Sequence, residues 1–351
     1  MRSDEHLLVC VDRVPATHDM TTFTFRTVEP HTFVFNPGQF LTIGVTIDDH
    51  TVQRCYSISS PPTRPDTLSI SVKRKAGGHV SNWLHDNMSP GMTMTASGPL
   101  GRFSYIGTGA ERYLFISAGS GITPIMSMIR AATDDATTTS TATDVTAARR
   151  PDIVFIHSAR TLEDIPFRAE LEQLSVAHPG LDVAFALTAL TADHPVAPPG
   201  SNKRLGADTL TRLCPDLADR EVFLCGPGPF RSRVRSALLA CGASLTRIHE
   251  ESFGFVLPTP DADTDGITVD FTRRARRVHV TEGTTILAAA AAAGVTLPST
   301  CGIGLCGSCK VTKISGDVVM NHQGGIRSRE IEQGQILLCC SEPISPVVID
   351  Y

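Results

Sequence analysis

Cys301-Gly302-Ile303-Gly304-Leu305-Cys306-Gly307-Ser308-Cys309, followed after twenty-nine residues by Cys339-Cys340, decides how the end of this chain is read. Three cysteines spaced C-x4-C-x2-C with a distant fourth form the pattern that ligates a 2Fe–2S cluster. Four thiolates must converge on two irons from one loop and one remote element. Gly302, Gly304 and Gly307 suit such a loop, because it needs unusual backbone angles and bare N–H groups near the sulfurs. Structural zinc sites use two close cysteine pairs, which this stretch lacks. A disulfide framework is disfavoured because Met1-Arg2-Ser3-Asp4-Glu5 carries charge from the outset and shows no secretory signal. The spacing alone leaves the fourth ligand open between Cys339 and Cys340.

Working outward, the segment from Gly266 to Tyr351 resembles the plant-type ferredoxins. It does so through Thr285-Ile286-Leu287-Ala288 and Pro298-Ser299-Thr300-Cys301 as well as the cysteines. The resemblance implies an α+β, β-grasp domain, with Cys301, Cys306, Cys309 and, by its interval from Cys309, Cys339 as ligands; Cys340 is then a neighbour. The remaining cysteines, Cys10, Cys55, Cys214, Cys225 and Cys241 with Cys340, are expected to be mostly plain buried thiols.

A chain of 351 residues has room for two or three domains. A net charge of −5 gives no electrostatic footprint for nucleic acid or an anionic membrane. Ala288 to Ala293 is the most apolar run and far too short to span a bilayer, so a cytoplasmic protein is expected.

Residues 1–105 alternate apolar and polar in short runs: Leu7–Val11, Thr22–Arg26, Phe40–Ile43, Cys55–Ile58 and Leu68–Val72. Pro, Gly, Asn and Asp punctuate them, as in Asn36-Pro37-Gly38-Gln39, and the close spacing predicts a small antiparallel barrel. Within it, Arg54-Cys55-Tyr56-Ser57 sets a cation and a ring side by side, which suits an aromatic cofactor bearing phosphate. Lys73-Arg74-Lys75-Ala76-Gly77-Gly78-His79-Val80-Ser81 leads into a helix with Ser81 as its predicted cap, an anion site made of backbone N–H groups. Gly98-Pro99-Leu100-Gly101-Arg102-Phe103 closes the segment. Together these motifs resemble the flavin barrel of the ferredoxin–NADP reductase superfamily. The resemblance implies that Tyr56 packs on the isoalloxazine, Ser57 approaches its reactive edge, and Arg54 with Gly78, Val80 and Ser81 holds the pyrophosphate; Cys55 and His79 lie within those two motifs. The Gly-Gly-x-x-Ser form resembles the FAD members more than the FMN ones. Trp83 and Phe103 are read as core packing.

Residues 106–258 alternate strands and helices, the mark of an α/β nucleotide-binding domain with a parallel sheet. Tyr113–Ala118 is an apolar strand; Gly119-Ser120-Gly121-Ile122-Thr123-Pro124 then turns into a helix with Thr123 as predicted cap and Pro124 at its first position. Further strands are predicted at Ile153–His157, Leu181–Thr188 and Glu221–Cys225, with helices over Arg168–Ala177 and up to Ala240. Cys225-Gly226-Pro227 resembles the superfamily's nicotinamide-side motif. Arg160 lies where the adenosine ribose is expected; Glu163 and Asp164 follow at once and would repel a 2′-phosphate, so NADH is expected rather than NADPH. Glu251-Ser252-Phe253 resembles the superfamily's acidic-x-aromatic ending and implies that Phe253 shields the flavin, with a core phenylalanine as the competing view. Ser57, Cys225 and Phe253 are therefore the implied catalytic contacts. Ala131–Arg150, rich in Ala, Thr and Asp, is predicted to be a solvated loop, and the Pro/Asp run at 259–265 a linker.

In residues 266–351, Arg273-Arg274-Ala275-Arg276-Arg277 is read as a charged hairpin turn, with a partner contact as the alternative. Met320–Arg327 and Ile336–Ser341 resemble a narrower group of reductases that feed Rieske-type oxygenases demethylating quaternary amines such as glycine betaine. His322 is not a Rieske ligand, since no matching second Cys–His pair exists. The expected protein is therefore multidomain: flavin β-barrel, parallel-sheet nucleotide domain, ferredoxin domain. Hydride from NADH would pass through FAD to a 2Fe–2S cluster and on to a terminal oxygenase. The alternatives are a reductase for a hybrid-cluster protein or a di-iron oxygenase, or a cluster-based redox sensor; no DNA-binding segment supports the last.

Overall fold

Six strands, β1 (Glu5–Thr17), β2 (Met20–Thr27), β3 (Phe40–Ile47), β4 (His50–Ser57), β5 (Leu68–Lys73) and β6 (Thr93–Leu100), form an antiparallel sheet in the order β4-β3-β6-β1-β2-β5. The computed structural model describes residues 5–47, 50–134, 151–189, 205–251, 253, 266–281, 283–295, 297–299 and 301–351. Alternation along β2 buries Phe23 and Phe25, and Ile43, Ile58, Ile70 and Val72 join them in one core. Each such side chain contributes about 1.5–3 kcal/mol by leaving water. Sequence pattern alone missed β6, because its Gly98-Pro99 end reads as a turn. Helix α1 (His79–Asn87) lies against β4 and β5, and Trp83 packs on the barrel core.

The second sheet is wholly parallel. It comprises β7 (Arg112–Ala118), β8 (Asp152–Ala159), β9 (Leu181–Leu187), β10 (Glu221–Cys225) and β11 (Ile248–Glu251), ordered β11-β10-β7-β8-β9. Helices α2 (Ile122–Thr133) and α3 (Arg168–Ala177) share one core with Phe115, Phe155 and Phe223, while α4 (Ala207–Leu213) and α5 (Gly228–Ala240) share another with Leu114, Ile116 and Leu224. Phe103 is core, as read, but its ring meets Phe223 edge-on at 5.4 Å, in the parallel-sheet module rather than the barrel. Residues 131–133 continue α2, where a loop was predicted; 135–150 lie outside the described residues, as does the predicted linker.

Barrel and parallel sheet form one compact unit, Met1–Glu251, and Ser252–Tyr351 forms another. The first is held together by polar groups of α2 reaching the barrel segment after β4. Arg130 donates to the Ser59 carbonyl at 2.6 Å and grips Glu170 of α3 through two bonds of 2.7 and 2.6 Å. Ser127 donates to the Ser60 carbonyl at 2.7 Å, and Arg64 pairs with Asp134 at the end of α2. Arg130 also stacks over Phe167, 4.9 Å from its centroid.

In the second unit β12 (Ile267–Phe271), β13 (Arg276–Val280), β14 (Lys310–Ser315), β16 (Gln335–Leu337) and β18 (Val347–Asp350) make a mixed sheet ordered β13-β12-β18-β14-β16. A small pair, β15 (Val318–Met320) and β17 (Ser341–Pro343), stands beside it. Helix α6 (Ile286–Ala292) packs on this sheet, capped by Thr285 Oγ1, which accepts from Ala288 N at 3.3 Å; α7 (Ser328–Glu332) follows β15. Two arginines of the basic hairpin are paired, Arg273 with Asp350 and Arg277 with Asp270, while Arg274 covers the Tyr351 ring.

Replacing Arg130 with Met leaves Glu170 and the Ser59 carbonyl without their cation. Loss of one partner of a part-buried pair costs about 3 kcal/mol. The expected result is a lower thermal midpoint for the first unit, read by differential scanning calorimetry, with the second unit's transition unmoved.

Candidate functional site

In the first unit the ends of four strands, β4, β7, β10 and β11, and the starts of two helices, α1 and α2, carry the candidate residues. Arg54 sits exposed on β4, its guanidinium donating to the Gln53 carbonyl at 2.7 Å. Cys55 is half-buried, with Thr42 Oγ1 3.5 Å from its sulfur. Tyr56 packs against the barrel core, and burial holds its phenol far above the usual range. The first turn of α1 supplies the N–H groups of His79, Val80 and Ser81, which have no partner within the helix by geometry. Ser81 is not the cap. Gly78 holds that position in an extended conformation, and Ser81 lies inside the first turn. A Cβ on Gly78 would stand 2.5 Å from Ser81 Oγ, so the side chain occupies the space glycine leaves free.

The start of α2 departs from expectation in the same way. A 3₁₀ turn over Gly119–Gly121 precedes it, Gly121 is the N-cap, and Thr123 and Pro124 lie within the first turn. Thr123 Oγ1 donates back to the Ser120 carbonyl at 3.0 Å. Gly119 takes φ +55°, whereas Gly121 is required by proximity: a Cβ there would stand 2.3 Å from the Cys225 carbonyl oxygen. This contact sets the turn after β7 directly upon Cys225-Gly226.

Cys225 and Glu251 are register partners on β10 and β11, both are buried, and Glu251 lies beside Ser57 of the barrel. Burial, and then the Glu251 charge, raise the Cys225 thiol far above its ordinary value, so it stays a neutral contact. Burial pushes Glu251 up to about 8, partly opposed by the Ser57 hydroxyl. Neither Ser57 Oγ nor Glu251 Oε2 makes a full hydrogen bond. Orphaned polar atoms on a barrel edge and a sheet end suit a polar heteroaromatic ring held against them. Arg231 of α5 donates to the Gly226 carbonyl at 3.2 Å and to Glu250 at 2.9 Å, bracing this turn from below. Arg231 was not among the residues singled out for the site, and of Glu251-Ser252-Phe253 only Phe253 was given a role there; the pairing of β10 with β11 sets Glu251 beside Cys225.

Arg160 is mostly exposed and faces Asp164 at 3.7 Å. Asp164 is anchored by Thr161, accepting from its N–H at 3.1 Å and its hydroxyl at 3.2 Å. Phe253 is 47% exposed and so is not a core residue; Ser252 lies outside the described residues.

In the second unit the sulfurs of Cys301, Cys306, Cys309 and Cys339 lie close to one another. Cys301 is held far below the ordinary thiol range by Cys306 first and Cys339 second, and Cys309 is lowered chiefly by Cys339. Gly304 N–H donates to Cys339 Sγ at 3.1 Å, and the N–H groups of Leu305 and Cys306 donate to Cys301 Sγ at 3.4 Å. Cys340 Sγ lies 3.7 Å from the Leu337 carbonyl, and its side chain also neighbours that of Cys339. A Cβ on Gly304 would stand 2.6 Å from Cys340 Sγ and 2.9 Å from His322 Cα. The Gly304 carbonyl accepts from Gln323 and Gly325, so the segment after β15 straps the loop in place. Among the described residues no group of three or more His, Cys, Asp or Glu closes around a single ion. Thiols linked pairwise and met by N–H donors fit a two-iron cluster instead. No disulfide joins any of the ten cysteines.

Comparison with known proteins bears on the same three regions. Residues 8–105 match the oxidoreductase FAD-binding domain, 115–236 the oxidoreductase NAD-binding domain and 269–343 the 2Fe-2S iron-sulfur cluster binding domain. The glycine betaine monooxygenase reductase subunit of Pseudomonas aeruginosa is 40% identical, over 99% of this chain and 95% of its own. The chain belongs to the family of oxygenase reductase components. It is an NAD(P)H-dependent oxidoreductase of electron transport, using FAD and a 2Fe–2S cluster. The stachydrine N-demethylase reductase subunit of Rhizobium meliloti is 36% identical over 99% of this chain and 97% of its own. A ferredoxin reductase component of 3-ketosteroid-9-alpha-monooxygenase from Mycolicibacterium smegmatis is 33% identical over 90% and 86%. Among solved structures, phthalate dioxygenase reductase shares the fold of this reductase, with TM-score 0.60 at 22% identity over 99% of this chain and 98% of that one.

Glu251 makes stability depend on pH. Its folded value, about 8, lies above the ordinary 4.5, so the folded state holds the proton more tightly. Stability is full below pH 4.5 and is lost as pH rises through about 8, by up to about 5 kcal/mol. Glu251→Gln should abolish that slope; thermal midpoints of both forms between pH 5 and 9 check it.

Proposed function

We propose that this reductase takes electrons from NADH in preference to NADPH and delivers them to a Rieske-type oxygenase that demethylates a quaternary amine. When bound, FAD accepts the hydride and the 2Fe–2S cluster passes electrons on singly. The chain's own residues supply binding and orientation. Arg54 and the N–H groups opening α1 hold the flavin pyrophosphate, Tyr56 packs on the ring, and Ser57 reaches its edge. The turn Gly119–Gly121 receives the dinucleotide's diphosphate. The nicotinamide lies against Cys225-Gly226-Pro227, and the neutral Cys225 thiol adds contact without charge. Glu251, protonated near neutrality, offers a hydrogen bond to the bound rings, and Phe253 covers the flavin. Cys301, Cys306, Cys309 and Cys339 ligate the cluster, and Cys340 does not.

The observation that carries the acceptor class is similarity along nearly the whole chain to reductase subunits whose named oxygenases act on glycine betaine and stachydrine. A cytoplasmic location for this reductase belongs to the same reading; no helix among the described residues is long and apolar enough to cross a membrane. The decisive experiment mixes the purified reductase with candidate Rieske oxygenases and glycine betaine or an N-methylated proline. Formaldehyde release coupled to NADH oxidation supports the reading. Turnover with a sterol ketone alone would move the chain to the ketosteroid branch.

Asp164 supports NADH because its anchored carboxylate stands beside Arg160, where a 2′-phosphate would otherwise find its cation. Asp164→Asn should raise the NADPH-to-NADH ratio of kcat/KM by about tenfold, equivalent to about 1.4 kcal/mol; steady-state kinetics with both cofactors measure it. Cys306→Ser should retain FAD and NADH–ferricyanide activity yet lose cytochrome c reduction. Unchanged cytochrome c reduction would remove Cys306 from the ligand set.

A further inference from the structure

The four cluster sulfurs are not served alike. Cys339 receives one backbone N–H, from Gly304, and Cys301 receives two, from Leu305 and Cys306. Cys306 has a hydroxyl beside it: Ser308 Oγ lies 3.1 Å from its sulfur. Between a free thiol and a hydroxyl either atom can donate. Once Cys306 is a ligand its sulfur carries no proton, so the hydroxyl must be the donor.

The backbone holds Ser308 in this position. Lys310 N–H donates to the Gly307 carbonyl at 3.1 Å and closes a turn over Gly307–Lys310. Gly307 takes φ +73°, and a Cβ on it would stand 2.8 Å from the Gly325 carbonyl oxygen, so the strap after β15 presses on that corner. Lys310 in turn pairs with Glu330 at 2.6 Å, and Glu330 caps α7 by accepting from Arg327 N at 2.8 Å. Ser308 therefore projects from a turn clamped on both sides, with its hydroxyl returned toward Cys306.

We infer that the Ser308 hydroxyl is a positioned donor that sets how tightly the cluster holds its transferred electron. The inference rests on the ligand assignment proposed above. Reduction delivers one electron from FAD and no proton, so one unit of negative charge spreads over irons and sulfurs. A donor aimed at a sulfur stabilises the reduced form more than the oxidised one and raises the reduction potential. Ser308 is exposed, so truncating it leaves no cavity, and the effect can be read without a folding defect.

The test is a spectroelectrochemical titration of the full-length holoprotein, followed by visible absorbance and electron paramagnetic resonance, for the native chain, Ser308→Ala and Ser308→Thr. Iron and sulfide per chain serve as the loading control. Ser308→Ala should shift the one-electron equilibrium about tenfold toward the oxidised form, about 59 mV more negative. Ser308→Thr, which keeps the hydroxyl, should stay within about twofold of the native protein. Ser308→Gly gives a second truncation should the alanine form load poorly. A native midpoint in both truncations, or equal displacement in Ala and Thr, overturns the inference. A native chain that shows no rhombic signal after reconstitution and reduction defeats the ligand assignment itself, a result separable from either.

Discussion

Arg130 is the constraint on which the reductase geometry of the first unit depends. One guanidinium binds the barrel through Ser59 and the parallel sheet through Glu170, and its flat face rests on Phe167. Hydride transfer demands that a ring carried by a barrel strand and a ring carried by a sheet end meet within van der Waals reach. Two modules joined by a flexible linker would meet that demand only rarely. Joined through Arg130, Ser127 and Arg64, they present Ser57, Cys225 and Glu251 as one buried surface.

The same economy of space recurs at the glycines. Gly121 lies so close to the Cys225 carbonyl that any side chain would force the two strand ends apart, and Gly304 is likewise confined between Cys340 and His322. At Gly121, whose backbone is ordinary, the missing Cβ matters through contact alone, and at Gly304, with φ +72°, through contact and backbone freedom together. In each case a backbone segment bearing N–H groups is brought against the atoms it serves. Arg231 adds a brace under the turn after β10, and the strap after β15 does so for the cysteine loop.

Charge is managed differently at the two centres. Around Cys225 and Glu251 burial keeps groups neutral, which suits a site where a hydride, carrying its own charge, must approach a ring. In the cysteine loop, backbone N–H groups meet the sulfurs of Cys301 and Cys339 and the Ser308 hydroxyl lies beside Cys306, which suits sulfurs that would bear negative charge if they hold the cluster. In the exposed Arg cluster, Arg273 and Arg277 are paired with carboxylates of their own sheet.

Local chemistry alone determined a good deal. The cysteine spacing named its cofactor because ligand geometry is written in a short contiguous loop. The fully apolar run of β7 and the alternation of β2 named their sheets because burial on two faces or one leaves different patterns. Other features became visible only with the fold. The caps of α1 and α2 moved to Gly78 and Gly121 because close packing outweighed the intrinsic preference for Ser and Thr. Glu251, Arg231 and the orientation of Cys339 against Cys340 depend on strand pairing and loop closure between residues distant in sequence. Such contacts are set by which backbones approach one another, and no local pattern encodes that approach.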